Sequence, residues 1–517
     1  MSGALVASFA LLDASSPSAS TSSSPARKVV AAPAAETQRI DALLTTLHGR
    51  GQFDGSILVA RGGAVIYRAG LGYANESTRE LFQPSTVSSL ASLSKQFTAL
   101  AVMMLAERGS VGYDDPITRF LPELARYAPG VTVRHLLNHT SGIPDVGDLG
   151  IDRPGLTNGE VVAALATRSP LVSPPGTRYR YSNAGYVLLA TIVERLSGQR
   201  MADFLDAHVF KPLGMHSTFV RDARAAVQPG VAMAYDVFGQ PAGDTNGTVG
   251  DGGVFSTVDD LYEWDRALAG SSLVRASTLD TAFAPPILPD GPSTYGFGWN
   301  VRVDHGTQVL WHTGSTGGYR SYIERRPLEQ LLIVMLTNHG NTKRVDIASA
   351  IVHILRGEPF ALPGQSIARR LYGVIKADGI DAAMRLYGSL RTEAAQDYDF
   401  SESELNTLGY KLLGEGRVKD AVRVFERNAE AFPTSSNVFD SLGDAYVQAA
   451  ERGRAIASYE RATALDSGNS HAAVAAITLR RRSTVVFVAK WGGLFLAVAV
   501  LAALALARRR RSLSRSL

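Results

Sequence analysis

The chain has 517 residues, 45% of them hydrophobic and 19% charged, with a formal net charge of +4. This length predicts two or more domains, and this composition is globular in bulk. Much of the small positive excess comes from arginines near the C-terminus, which leaves little basis for a nucleic-acid partner. There is no cysteine, so disulfides and thiolate catalysis are excluded, while the compartment stays open. Ten histidines are scattered without a His-Glu-x-x-His pattern or an equivalent, so neither a metal nor another cofactor is expected.

Met1 to Ala10 is apolar and uncharged, and Ser15 to Ala35 is rich in Ser, Ala and Pro, as disordered linkers are. Leu5 to Leu12 resembles the end of a signal-peptide core, yet it is short and lacks a basic start. A clipped or misassigned start and a plain disordered tail account for it equally well. Residues 1–36 are therefore set apart as signal-like or disordered.

Residues 37–357 form the first large unit. Ser56 to Ala60 and Val65 to Ala69 are short apolar strands joined by Arg61-Gly62-Gly63, a hairpin signal. Pro84 and the hydroxyl-rich run Ser85 to Ser89 then mark a helix start. Leu93, Phe97, Leu100, Ala101, Met104 and Leu105 recur at helical spacing behind it. Ser92 and Lys95 open that helix at i and i+3, positions that neighbour each other on a helix surface. A serine hydroxyl is a poor nucleophile until a base takes its proton, and a partly desolvated lysine can be that base. Of the eight lysines only Lys95 has a serine three residues earlier. Ser92 also falls where backbone N–H groups have no intrahelical partner and favour negative charge. A long region of helices and Pro/Gly-rich loops follows. Strands return at Val309 to His312, Ser321 to Glu324 and Leu331 to Thr337. Strands at both ends with helices between predict an α+β layout: one antiparallel sheet closed by the two ends, flanked by helices, with a helical lobe inserted.

A helical connector is expected over residues 358–403. Residues 404–470 carry an internal repeat. Leu408-Gly409 recurs as Leu442-Gly443, Ala421 as Ala455, and Phe425-Glu426-Arg427 as Tyr459-Glu460-Arg461, each 34 residues on. That is the tetratricopeptide period, with small residues where the two helices of a repeat touch. The stretches Ile367 to Leu390 and His471 to Leu479 are expected to cap the pair. The repeats read either as a groove for a protein partner or as a structural appendage. Val485 to Ala507 is apolar except for Lys490 and long enough to span a bilayer, which predicts a membrane anchor. Arg508 to Arg511 follow, which places the basic tail, residues 508–517, in the cytoplasm.

Two further segments complete a pattern. Tyr181-Ser182-Asn183 lies in one, and His312-Thr313-Gly314-Ser315 ends a strand in the other. Supporting stretches are Leu136 to Ile143, Gly250 to Thr257, Tyr295 to Trp299 and Leu336 to Asn338. Together they resemble the serine β-lactamase and penicillin-binding-protein superfamily, closest to its class C branch with the esterase and D-aminopeptidase relatives. The resemblance covers about Thr37 to Gly357. It implies a β-lactamase/transpeptidase-like fold and a serine hydrolase working through an acyl-enzyme on Ser92, with Lys95 accepting its proton. Tyr181 would shuttle a proton, and Asn183 would hydrogen-bond the substrate amide or the lysine. His312, Thr313, Gly314 and Ser315 would line the substrate site, with the N–H groups of Ser92 and Ser315 as an oxyanion hole. Tyr73-Ala74-Asn75 also fits Tyr-x-Asn but precedes Ser92, against the family order. His139 matches no catalytic position and is expected to fix its loop. Asp251 is expected to be structural, and Tyr319 and Arg320 to pack or to line the cleft.

One departure matters. The third motif is usually Lys-Thr-Gly, and here histidine stands first. Histidine is charged only in part near neutral pH, so strong binding of a substrate carboxylate is in doubt. An ester, amide or D-amino-acid peptide is as fitting a substrate as a β-lactam. Family members act mostly on extracytoplasmic small molecules or peptides. The expected setting is therefore a bacterial inner membrane with one C-terminal span and a periplasmic hydrolase. The alternative is a non-catalytic scaffold that binds peptidoglycan or a peptide.

Overall fold

Strands from the two ends of the first unit meet in one sheet. β1 (Gly55–Arg61) and β2 (Ala64–Leu71) form the amino-terminal hairpin. β3 (Asn300–Asp304), β4 (Thr307–Thr316), β5 (Tyr319–Arg326) and β6 (Leu331–Thr337) follow the helical lobe. They assemble as one 6-stranded sheet in the order β3-β4-β5-β6-β1-β2. All its pairings are antiparallel. β1 lies against β6 with Ile57 opposite Met335 and Val59 opposite Ile333, so the sheet is closed by contacts made across most of the unit. β6 is buried along its whole length, which matches its unbroken apolar run, Leu331 to Leu336. β3 was not anticipated. It is a short edge strand whose Val303 is 74% exposed, so it lacks an apolar signature.

The computed structural model describes residues 35–167, 171–221, 230–243, 247–469 and 471–481. These divide into two compact units. One runs to Ala234 and resumes over Ala242–His339; the other comprises Tyr235–Pro241 and the chain from Gly340.

In the first unit α1 (Ala35–Gly49) packs on β2. The lobe between β2 and β3 holds α2 (Lys95–Glu107), α3 (Val133–Leu137), α4 (Asn158–Thr167), α5 (Asn183–Ser197) and α6 (Val258–Ala269). α2 is buried on every side from Lys95 to Leu105 and packs against α5. A helix with no polar face belongs in a core. α6 instead has one apolar face, Leu261, Trp264 and Leu268, turned to β1 and β6. Trp264 also donates its indole N–H to Gln96 of α2 at 3.0 Å, which ties the two helices together.

The second unit begins with α7 (Arg344–Arg356) and α8 (Ile367–Glu393), the latter kinked at Gly379 with φ 82. Then come α9 (Glu402–Gly414), α10 (Val418–Ala431), α11 (Ser436–Gln448) and α12 (Arg452–Leu465), and a helix over residues 471–481. α9 packs on α10 and α11 on α12. The same contact recurs in both pairs: a Cβ on Gly409 would lie 2.4 Å from the Phe425 ring, and one on Gly443 2.5 Å from the Tyr459 ring. The 34-residue spacing is thus a packing period, one aromatic plate against one bare backbone per pair. The predicted membrane span, residues 485–507, and most of residues 1–36 lie outside the described residues. Among the described residues no helix is long and apolar enough to cross a membrane.

Adding a methyl group at either glycine overpacks its helix pair. Gly409→Ala and Gly443→Ala are each expected to destabilise the helical unit by about 1–3 kcal/mol. Equilibrium urea unfolding checks this, and unchanged midpoints in both variants would contradict the packing described.

Candidate active site

The turn that carries Ser92 is fixed from three sides. Leu90 N–H donates to the Val254 carbonyl at 2.9 Å, and the Ser321 hydroxyl donates to the Leu90 carbonyl at 2.7 Å. Ala91 N–H donates to the Ser89 hydroxyl at 3.3 Å. Ala91 is thereby held at φ 48, a left-handed conformation that costs a residue with a Cβ about 1–3 kcal/mol. The chain then makes a 3-10 turn over Ala91–Ser94 before α2 starts at Lys95. In a 3-10 turn the side chains at i and i+3 eclipse, so Ser92 and Lys95 are brought closer than an α-helical turn would bring them. Lys95 Nζ donates to Ser92 Oγ at 3.1 Å.

Lys95 is fully buried, and its ammonium has two further acceptors: Asn183 Oδ1 at 2.8 Å and the Asp251 carbonyl at 2.8 Å. Three donors thus meet three acceptors. Burial pushes the Lys95 pKa down to about 8, and the Asp251 and Asp145 carboxylates work against that fall. The amine is therefore protonated at neutral pH yet within reach of its neutral form. Asp251, expected to be structural, supplies its carbonyl to the lysine, while burial raises the pKa of its carboxyl group.

Tyr181 and Asn183 reach the same point from the start of α5. The Lys95 ammonium lies 4.8 Å from the centre of the Tyr181 ring and 5.6 Å from that of Tyr186. Burial raises the Tyr181 pKa, and its hydrogen bond with Ser92 opposes the rise, so the phenol keeps its proton at neutral pH. His139 lies behind it with ring centres 4.2 Å apart. Ser182 N–H donates to His139 Nδ1 at 3.1 Å and Arg180 N–H to the His139 carbonyl at 2.8 Å, so the expected loop-fixing role is seen. Burial, then the charges of Lys95 and His312, hold the His139 pKa well below the ordinary value. Tyr73–Asn75 sits in its own short hairpin, where Asn75 Oδ1 accepts from Ser77 and Thr78.

The third segment belongs to β4. A Cβ on Gly314 would lie 2.2 Å from the Leu90 carbonyl oxygen, so only glycine lets this strand press against the turn before Ser92. Ser315, the next residue, faces Arg320 across the β4–β5 ladder, and Thr313 faces Tyr322. β3 pairs with β4 only as far as Trp311, so the ladder on that side stops before His312. His312 is buried, with Nδ1 at 2.7 Å from the Thr313 carbonyl and Nε2 at 2.8 Å from the Tyr295 hydroxyl. Both ring nitrogens thus lie within hydrogen-bond distance of a partner, one a backbone carbonyl and the other a phenol. Tyr295 lies in one of the supporting stretches, and nothing in its spacing marks it as a partner of His312. Tyr319 packs: its hydroxyl donates to the Ala232 carbonyl at 2.5 Å. Arg320 donates to the carbonyls of Gly317 and Tyr319 in its own hairpin.

A cleft of about 420 Å³ opens beside this group, lined by Asn183, Asp251, Thr248, Thr316, Arg153 and Leu156 among others. Larger cavities, of about 570 and 590 Å³, contain none of these site residues. Among the described residues, Asp440, Asp444 and His471 bring potential metal-ligand atoms within 4.8 Å of one another. Their atoms are occupied otherwise: His471 pairs with Asp440, and Tyr410 and Tyr459 both donate to Asp444.

Sequence comparison extends these observations. A profile of the Beta-lactamase family matches residues 40–355. Penicillin-binding protein 4* of Bacillus subtilis is 32% identical over 351 residues, 63% of this chain and 77% of that one. A D-aminopeptidase of Gluconobacter oxydans is 29% identical over 327 residues, 59% of each chain. Among solved structures, the octameric penicillin-binding protein homologue from Pyrococcus abyssi superposes with a TM-score of 0.57 at 27% identity, over 66% of this chain and 81% of that one. The D-amino acid amidase from Ochrobactrum anthropi shares the fold at 23% identity and a TM-score of 0.54, over 63% of this chain and 99% of that one. With the sheet, the inserted lobe and the Ser92–Lys95 pair in place, the matched region identifies the chain as a member of the Beta-lactamase family of serine hydrolases, the group that holds penicillin-binding proteins and D-aminopeptidases.

Proposed function

We propose that this protein hydrolyses a small ester, amide or D-amino-acid peptide through an acyl-enzyme on Ser92. The observation that carries the proposal is the 3.1 Å contact between Ser92 Oγ and a buried amine whose pKa is about 8. An ordinary lysine, near pKa 10.4, is far too basic to be found neutral at pH 7; at about 8, roughly a tenth of the amine is neutral there.

In the first step neutral Lys95 takes the Ser92 proton while Oγ bonds to the substrate carbonyl carbon. The N–H groups of Ser92 and Ser315 receive the developing oxyanion, a contribution of about 3–4 kcal/mol for one donor. The bond from carbonyl carbon to the leaving nitrogen or oxygen then breaks, and the leaving group gains a proton through the Tyr181 hydroxyl, which Lys95 resupplies. In the second step a water attacks the acyl carbon and gives up a proton along the same path; the bond from acyl carbon to Oγ then breaks, the acid product leaves, and Oγ takes that proton. Tyr181 serves as a neutral relay, in keeping with its raised pKa. Asn183 keeps the ammonium in place. His312, engaged by Tyr295, offers the substrate no fixed cation, which favours amides and esters over substrates recognised by a carboxylate. The D-aminopeptidase of Gluconobacter oxydans, by its name, supports the same substrate class.

On the same proposal, α9 to α12 form a tetratricopeptide-type platform for a protein partner, supported by the repeated glycine–aromatic contact. Residues 485–507 anchor the chain in a bacterial inner membrane, with the hydrolase on the periplasmic side.

Ser92→Ala is expected to abolish labelling by a fluorophosphonate probe, and undiminished labelling would end the proposal. Lys95→Met should slow acylation by about 10²–10⁴-fold. Because the neutral amine is the active form, the acylation rate of the unaltered protein should climb as pH rises through about 8. Single-turnover rates with p-nitrophenyl esters across that range test this, and a flat profile would exclude Lys95 as the base. In a panel of D-amino-acid amides, esters and a chromogenic cephalosporin, the cephalosporin is expected to turn over slowest, and its being the best substrate would refute the assignment of substrate class.

A further inference from the structure

The loop that follows α3 holds a charged group that the proposed chemistry does not use. Asp145 stands beside the start of α5 and makes three contacts there. Its Oδ1 accepts Asn183 N–H at 2.8 Å and Ala184 N–H at 3.1 Å. Its Oδ2 accepts Asn183 Nδ2 at 3.0 Å. The other end of that side-chain amide, Oδ1, accepts the Lys95 ammonium at 2.8 Å. A carboxylate only accepts and an ammonium only donates. An amide placed between them can therefore face only one way, with its NH₂ toward Asp145 and its oxygen toward Lys95.

We propose that Asp145 is a positioning residue for the hydrolytic site: its carboxylate fixes the rotation of the Asn183 amide and so selects the atom that Asn183 turns toward the Lys95 ammonium. This role presupposes the Ser92 hydrolase proposed above. The loop is built to hold the carboxylate still. Asp145 N–H donates to Asp148 Oδ2 at 2.9 Å, and Leu149 N–H donates to the Asp145 carbonyl at 3.1 Å. Arg180, next to Tyr181, pairs with Asp148 at 2.8 Å. The same loop grips the other arm of the motif, through the contacts of His139 with Arg180, Ser182 and the Tyr181 ring. One loop thus orients both Tyr181 and Asn183.

Replacing Asp145 by asparagine keeps the shape but supplies one acceptor atom where two are needed. Either the α5 N–H groups or Asn183 Nδ2 then loses its partner. When Nδ2 loses it, the Lys95 ammonium alone still sets the rotation of the Asn183 amide, and the amide is held less firmly. The charged and titratable groups around Lys95 are the Asp145 and Asp251 carboxylates, the phenols of Tyr181 and Tyr186, and the His139 imidazole. Asp145→Asn removes one of the two anions, so the neutral amine becomes easier to reach.

The test uses the full chain with lysine labelled by ¹³C, in which Lys95 Cε is assigned by its loss in Lys95→Arg. Its titration midpoint should lie at about 8 in the unaltered protein. It should move down by about one pH unit in Asp145→Asn and in Asp145→Ser, a residue type that still caps a helix. Ser182→Ala is the control for capping alone. It removes a hydroxyl that accepts Gly185 N–H at 3.2 Å, and it should lower thermal stability without moving the midpoint. At a pH above both midpoints, fluorophosphonate labelling of Asp145→Asn should be slower by roughly 10- to 100-fold, because the amine is misplaced although it is neutral. Wild-type midpoint and labelling rate in folded Asp145 variants would overturn the proposal, as would a midpoint shift of equal size in Ser182→Ala. Equal labelling of the unaltered protein and Ser92→Ala would instead overturn the hydrolase proposal, and the Lys95 titration would still decide the link from Asp145.

Discussion

The structure of this site depends on one constraint, the burial of the Lys95 ammonium. A charged amine with no access to water is costly unless each of its donors is met. Three acceptors meet them, and each comes from a different part of the chain: the Ser92 hydroxyl on the turn before α2, the Asn183 amide at the start of α5, and the Asp251 carbonyl in a glycine-rich turn. The elements of the helical lobe are therefore not free to settle independently. α2 and α5 must pack, and the loop around Asp251 must close over them, before the lysine is satisfied. The same burial lowers the lysine pKa to about 8.

A second constraint joins the lobe to the sheet. The turn at Ala91 is held in a left-handed conformation, and β4 lies so near it that a side chain at Gly314 would collide with the Leu90 carbonyl. Strain and close approach meet at one place, beside the expected nucleophile. The bonds from Val254 and Ser321 to Leu90 over-determine the turn, which is how such a conformation persists. Ser92 is consequently set by β4, β5 and the Val254 carbonyl, and not by its own helix alone. Local strain of this kind is what a positioned reactive group requires, since a loose hydroxyl would gain nothing from a nearby base.

At position 312 a buried histidine stands where the family motif usually has lysine. His312 is buried and bound to Tyr295, and Tyr295 lies in turn near His139 and Tyr181. Burial keeps these phenols protonated and His139 neutral. Lys95 is the cation in contact with Ser92, and the carboxylates of Asp251 and Asp145 are its counterweights.

Much of this was legible in the residues themselves wherever the chemistry is local. Ser92 and Lys95 stand out because three residues of spacing place them together in any helical turn. The strands at both ends announce themselves by apolar runs, and the repeat by glycines and aromatics 34 apart. β3 was missed because a short, half-exposed edge strand has no pattern to read. Tyr181, Asn183 and His312 came into view only through family resemblance, since nothing in their spacing links them to Ser92. Asp145, the Asp251 carbonyl and Tyr295 were not found as partners at all. A carbonyl has no sequence signature, and an aspartate in a turn looks like any other. The sequence by itself determined which groups could react and which faces had to be buried. Which atom each group turns toward the ammonium was decided only by the tertiary fold, because hydrogen-bond direction is settled by partners that arrive from distant parts of the chain.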